Sequence, residues 1–380
     1  MKQEILLTNA MLVTPNDVFR GTLHVKNGII VELEHTQRPF EHGIDLEGNY
    51  LLPGLVELHT DHLENHVVPR PGVRWPSLAA ILSHDSAVVT SGITTVFDAL
   101  AIGDLNENSC RMRDLEEMVR AVGNAQRKSF LRVDHFLHLR CEMAYPHVLD
   151  IFETLVDDPL VKLVSLMDHT PGQRQFTSLQ RMYQYYQGKY GLSDEQMMQL
   201  VIEREANQKH YAQRHRKEIV RISKERDLPL ASHDDTTSEH VAQAASEGVV
   251  LCEFPTTLEA ALAARRFGLN ILMGAPNLIL GGSHSGNASA REFGERGLLD
   301  ILSSDYVPSS VLAGAFFLHQ ELDFPLPGAI ASVTYTPAQV VHLHDRGALE
   351  AGKRADLVCV KWNPPLPIVR HVWKDGKQIF

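Results

Sequence analysis

Short apolar runs recur along the middle of this chain, each followed by a longer stretch with helical periodicity. Eight such runs can be read: LLPGLVELHTD, TTVFDAL, FLRVDHFLHLRCE, VKLVSLMDH, LPLASHDD, VVLCEFP, ILMGAPN and ILSSDY. Strand-like runs alternating with helix-like segments predict a parallel sheet covered by helices. Eight βα units within residues 51–346 predict an α/β fold of the (β/α)8, or TIM-barrel, type. Polar residues gather at the C-terminal ends of the runs, where such barrels carry their chemistry. A doubly wound sheet is the alternative, but no GxGxxG opens the first unit.

The two ends of the chain differ from the middle. Residues 1–50 read as short strands with Asn27-Gly28 as a hairpin turn, and residues 347–380 have the same character around Asp375-Gly376. Each end is too small to hold a core alone, so the two are expected to pair into one composite β domain. Residues 176–227 exceed a normal βα loop, and Ser193 with Gln196 has the spacing of a capping box at the start of a charged helix. This insertion, expected to be a helical hairpin, reads equally as a lid or as a contact surface for a second copy in a homo-oligomer.

Composition narrows the function classes. The 380 residues are 44% hydrophobic and 22% charged, enough for one large α/β domain and a smaller one. No run approaches the ~20 apolar residues that span a bilayer, and MKQEILLTNAMLVTP is too polar for a secretory signal. Cys110, Cys141, Cys252 and Cys359 are scattered without a CxxC pair, which predicts reduced thiols and a cytoplasmic location. A net charge of −11 argues against nucleic acid as a partner and leaves a small molecule as the expected one. An anionic substrate would have to find its positive charge locally.

Strand parity sorts the candidate chemistry, because successive side chains take opposite faces. In the first run Glu57, His59 and Asp61 are expected to share a face. In the third, the even positions should point into the barrel, bringing Arg140 and Glu142 to its mouth. His169 ends the fourth run, His233 the fifth and Asp305 the eighth. Histidines with carboxylates suit one or two divalent ions, zinc or manganese, so His59, Asp61, Glu142, His169, His233 and Asp305 are the candidate metal ligands. Asp305 is also the candidate base for an attacking water. A histidine at a strand end is as readily a hydrogen-bonded structural residue, the reading that suits His135 and His138. On the strand reading of the first run, His62 and His66 fall outside the ligand set.

The segment GAPNLILGGSHSGN follows the seventh run. Its small residues, with Gly282, Ser283, His284, Ser285 and Asn287 as the candidate contacts, could form an anion nest where barrels often hold phosphate. Arg70, Arg74, Arg140 and Arg174 are candidate phosphate clamps, each alternatively a salt-bridge partner. Metal ligands, arginines and a small-residue nest together favour a polyanionic substrate.

LLPGLVELHTD is similar to the first-strand metal motif of the amidohydrolase superfamily, and GALEAGKRADLVCV to its return segment. Two departures stand out: Asp61 replaces the second histidine of that motif, and Glu253 ends the sixth run where many members have histidine. Either His169 or Glu253 could replace the missing ligand. VELHTDHLENHVVPRPGVRWP, HLRCE, DHTPGQRQF, LASHDDTTSEH, GAPNLILGGSHSGN and LSSDYVPSS together resemble the narrower family of ribose 1-methylphosphonate 5-triphosphate diphosphatases. That resemblance implies hydrolysis of the 5-triphosphate to a 5-phosphate and pyrophosphate, within the carbon–phosphorus lyase pathway. Hydrolysis of an amide or cyclic amide, and a metal-free scaffold, are the other readings.

Overall fold

The computed structural model describes residues 4–36, 43–70, 72–104, 110–171, 174, 187, 193–282 and 286–380. Strands β1 (Glu4–Val13), β2 (Val18–Lys26), β3 (Ile29–His35), β4 (Ile44–Asp45) and β5 (Tyr50–Pro53) form the N-terminal part of one sheet. Strands β14 (Leu357–Asn363), β15 (Leu366–Lys374) and β16 (Lys377–Gln378) complete it, in the order β16-β15-β14-β5-β1-β2-β3 with β4 on β1. Neither terminal segment could bury Leu7, Leu23, Leu51, Leu357 and Trp373 alone; joined, they make one core. The Asn27-Gly28 and Asp375-Gly376 pairs take positive φ at the β2–β3 and β15–β16 turns, matching hairpin twist.

The second sheet holds β6 (Leu55–Thr60), β7 (Ile93–Ile102), β8 (Asp134–Glu142) and β9 (Val161–Met167). It continues through β10 (Leu230–His233), β11 (Leu251–Glu253), β12 (Asn270–Gly274) and β13 (Ile301–Ser303), paired parallel in chain order. These are the eight apolar runs, one strand from each. A bridge between Thr60 and Asp305 closes the barrel. Gly54 makes the passage from β5 to β6, and a side chain there would collide with Thr94, which explains the glycine of LLPG.

Inside the barrel, Val56, Leu58, Phe97, Leu163, Ala231, Leu251, Leu272 and Ile301 form an apolar layer. Two positions further along, the same parity delivers Ser165, His233, Glu253 and Ser303, so the barrel turns polar toward the strands' C-terminal ends. Among the described residues no helix is long and apolar enough to cross a membrane.

Of the insertion, the structure describes Gln187 and residues 193 onward. A helix over Asp194–Asn207 opens with the Ser193–Gln196 capping box. It passes through a π turn at Gln208–Ala212 into a second helix at Gln213–Glu225, so this part is one long rod. The rod meets the barrel rim at its middle, with Gln208 Nε2 3.4 Å from Asp168 Oδ2 and His215 Nδ1 3.1 Å from the Met143 carbonyl, and its second helix buries Ile219 and Ile222 in the outer core.

Candidate active site

Parity holds for the third run, where His138, Arg140 and Glu142 face inward while Leu137, Leu139 and Cys141 join the outer core. It fails in the first. The register of β6 against β7 shifts between Glu57 and Thr60, so His59 turns inward directly above Leu58, itself an inner-layer residue. Glu57 therefore does not share the site. Its two oxygens accept the backbone N–H of His59 at 2.7 Å and of Ser304 at 2.6 Å, stapling the seam between β6 and β13. Burial pushes its carboxyl up to about 7.

Two groups of donors sit at the barrel mouth. His59, Asp61 and Asp305 bring one ligand atom each within 4.8 Å of one another, and so do His169, His233 and Asp234. Behind them, Glu253 Oε1 lies 3.2 Å from His59 Nδ1 and Oε2 lies 3.3 Å from His233 Nδ1. Glu253 thus engages the Nδ1 side of both rings, leaving His59 Nε2 at 3.8 Å from Asp61 and His233 Nε2 at 3.6 Å from Asp234. The two rings are stacked with centroids 5.7 Å apart, so the two groups are neighbours.

Glu142 stands behind His169 rather than among the grouped donors. Its oxygens take the His169 ring Nδ1 at 2.7 Å and its backbone N–H at 3.0 Å. Burial would raise the Glu142 carboxyl, but the His169 charge and hydrogen bonds outweigh it and hold it at about 2. Burial would likewise lower His169, and Glu142 with Asp234 instead lifts it to about 9.

Asp234 is the site residue that sequence reasoning missed. Its signal is the doubled aspartate of LASHDD, although strand parity by itself would turn the residue after His233 away. The backbone cancels that: Asp234 has φ 55°, which swings its carboxylate back beside His233. Phe254 and Asp305, also just past strand ends, share this left-handed conformation at φ 52° and 56°. A non-glycine residue costs about 1 kcal/mol there, and all three of these side chains stand beside His59 or His233.

The donor set fits a divalent cation. Asp234 Oδ2 is buried without a hydrogen-bond partner among the described residues, 3.6 Å from both His169 Nε2 and His233 Nε2. That is too long for hydrogen bonds, yet close to the ~3.3–3.6 Å separating ligands across a tetrahedral ion with ~2.0–2.2 Å bonds. Asp305 tells the same story electrostatically. Burial first, then the neighbouring Asp61 carboxylate, raises it above the ordinary range, and a cation between the two would relieve both.

Arg140 reaches the mouth, donating from Nη1 to Asp61 Oδ1 at 2.6 Å. Arg174 is buried under the rim, bonded to Asp235 and donating to the His233 carbonyl at 3.3 Å. Arg74 is turned outward onto Asp114 and Glu117, and Arg70 is exposed. Gly282 follows the short helix Ala275–Leu280, and Ser283, His284 and Ser285 lie outside the described residues. Asn277 clips the far end of that loop near Asn287, donating to the Ala288 carbonyl and accepting the Ala290 N–H. His138 is held by the Leu58 carbonyl and Ser165, and His135 by Asp98 on the barrel's outer side.

Known proteins share this fold. The chain is 48% identical, over 99% of its length and all of the relative, to alpha-D-ribose 1-methylphosphonate 5-triphosphate diphosphatase of Escherichia coli (strain K12). A D-hydantoinase of Ralstonia pickettii is 28% identical over 25% of this chain and 20% of its own. Among solved structures, a Xaa-Pro dipeptidase superposes with a TM-score of 0.65 at 17% identity, covering 99% of both chains. Dihydropyrimidinase from Brevibacillus agri gives 0.62 at 12%, covering 99% of this chain and 95% of its own; at such identities these two speak for the fold alone. The Amidohydrolase family profile matches residues 50–379. With its barrel, its composite β domain and its mouth of histidines and aspartates, the chain belongs to the amidohydrolase family.

Proposed function

We propose that this chain hydrolyses α-D-ribose 1-methylphosphonate 5-triphosphate to the 5-phosphate with release of pyrophosphate. The observation that carries the reading is the full-length match to the Escherichia coli diphosphatase at 48% identity. The reaction would serve the carbon–phosphorus lyase pathway, leaving the phosphonate intact for later cleavage. Buried free thiols at Cys141, Cys252 and Cys359 suit a reducing cytoplasm.

His59, Asp61 and Asp305 would hold one divalent ion and His169, His233 and Asp234 a second, with zinc the best match to such donors. Bound there, the cation supplies Lewis-acid neutralisation of phosphate charge and a lowered pKa for water. The remaining work falls to side chains. Glu253 keeps the Nδ1 side of His59 and His233 engaged, and Glu142 does the same for His169. Asp305 accepts the proton of the attacking water, a role suited to a carboxyl held above the usual range. The water oxygen bonds to the α-phosphorus as its bond to the bridging oxygen breaks, and pyrophosphate leaves.

Arg140, at the mouth, is placed to bind non-bridging oxygens of the phosphate chain. Arg174 adds fixed positive charge under the rim and holds Asp235, and the loop at 281–287 receives the rest of the polyphosphate. Phosphoryl transfer asks mainly for such positioning and charge neutralisation.

The test is ³¹P NMR of ribose 1-methylphosphonate 5-triphosphate with the zinc-loaded chain in ¹⁸O-water, with and without chelator. Pyrophosphate and ¹⁸O-labelled 5-phosphate are expected, and only without chelator. Orthophosphate release, or label in pyrophosphate, would overturn attack at the α-phosphorus; no turnover would overturn the substrate.

A further inference from the structure

The helix His62–Val67 places His62 and His66 one turn apart on the same side, facing His84 of the helix Ser77–Thr90. We propose that His62, His66 and His84 form a separate cation site for zinc or a similar borderline divalent ion, on the outer side of the barrel. The three residues offer imidazole nitrogens within 4.8 Å of one another, and none belongs to the groups at the barrel mouth.

The buried partner of His84 argues for ligation. His84 Nε2 lies 2.7 Å from Asp98 Oδ1, with both side chains fully buried. An ionised carboxylate only accepts, so His84 Nε2 carries a proton, and in the neutral ring a metal would bind its Nδ1 presents a lone pair. That Nδ1 points at His62 Nδ1, 3.1 Å away. Carboxylate, then histidine, then cation is the usual order in which proteins fix a ligating imidazole. Asp98 is anchored in turn, since its other oxygen lies 2.8 Å from His135 Nδ1.

The third member supplies an independent sign. His66 Nε2 is buried and has no hydrogen-bond partner among the described residues, although its ring stands 4.6 Å from that of His62. A shared proton could join His62 to His84, but it would leave His66 unsatisfied. A cation serves all three. Nitrogen ligands on tetrahedral zinc with ~2.0–2.1 Å bonds lie ~3.3–3.4 Å apart, close to the His62–His84 spacing, and the fourth position would remain for water.

Such an ion would be structural. Asp61 immediately precedes this helix, and Asp98 is on β7, so the ion would pin the corner after β6 to the neighbouring helix and strand. It would work whether or not the barrel mouth hydrolyses a triphosphate.

The decisive measurement is zinc per chain after loading and desalting, for the parent, His62→Gln and His66→Gln. Each variant should retain about one ion fewer than the parent. Equal zinc content in parent and variants would overturn the site. Should a variant fail to fold, the unaltered chain decides: zinc should protect His62 and His66 from diethyl pyrocarbonate, read residue by residue, apart from His59, by fragmentation mass spectrometry. Labelling of His62 and His66 that zinc leaves unchanged would overturn it equally.

Discussion

His59 Nδ1 and Glu253 Oε1 lie 3.2 Å apart in the interior of the barrel, both side chains almost wholly buried. This contact decides which nitrogen His59 turns to the mouth. Glu253 thereby orients histidines of both donor groups, because its second oxygen serves His233. The sixth-strand carboxylate also falls within 4.8 Å of a donor atom on His59 and on His138, deeper in the barrel. Glu253→Gln should keep the fold and lower metal affinity by roughly tenfold or more. Competition with a chromophoric chelator measures this; unchanged affinity would leave Glu253 a packing residue.

Asp305 combines a backbone role with a chemical one. Its amide donates to the His59 carbonyl at 3.1 Å and its own carbonyl accepts from Asp61 at 2.7 Å, so its part in closing the barrel is played by its main chain. A side-chain change should therefore spare the fold. Asp305→Asn is expected to lower turnover by about 10²–10⁴-fold with an unaltered circular dichroism spectrum. Near-normal turnover would remove Asp305 as the base.

Asp234 owes its position to backbone geometry, and its buried Oδ2 has no hydrogen bond among the described residues. Asp234→Asn should therefore reduce the metal held beside His169 and His233, lowering bound zinc per chain measured by mass spectrometry. Full zinc content in that variant would assign Asp234 to structure instead.

Asp134, at the start of β8, receives Arg346 and Arg354 at 2.7 Å and Lys374 at 2.6 Å, tying the barrel to the C-terminal segment. Burial would raise its carboxyl, but Arg354 and then Lys374 hold it far below the usual range. A depressed carboxyl stabilises the fold above its unfolded pKa, and that contribution fades as pH falls toward the folded value. Asp134→Asn should cost about 3 kcal/mol near neutral pH, by leaving three cations without their common partner. The gap from the parent should narrow as pH drops below ~4, as urea melts across pH can show. A gap independent of pH would contradict the electrostatic account.

Much of this protein is decided by local pattern. The eight barrel strands follow from apolar runs with polar ends, and the two hairpin turns from Asn-Gly and Asp-Gly, which tolerate positive φ. The capping box at Ser193 is likewise a matter of residues three apart. His59, Asp61, His169, His233 and Asp305 were legible as strand-end donors because side-chain alternation and barrel polarity are short-range rules.

Only the tertiary structure decided the rest. The shifted register of β6 depends on its pairing with β7, and it separates Glu57 from His59 despite their matching parity. The place of Asp234 depends on a left-handed residue that no alternation rule foresees, and the role of Glu253 on two histidines 194 and 20 residues away. VELHTDHLENH shows both limits at once: it is a strand as far as Thr60 and a helix from His62, so its histidines divide between two places. His59 turns into the barrel, while His62 and His66 meet His84 outside it. Periodicity describes one element at a time, and a site is set by how elements pack.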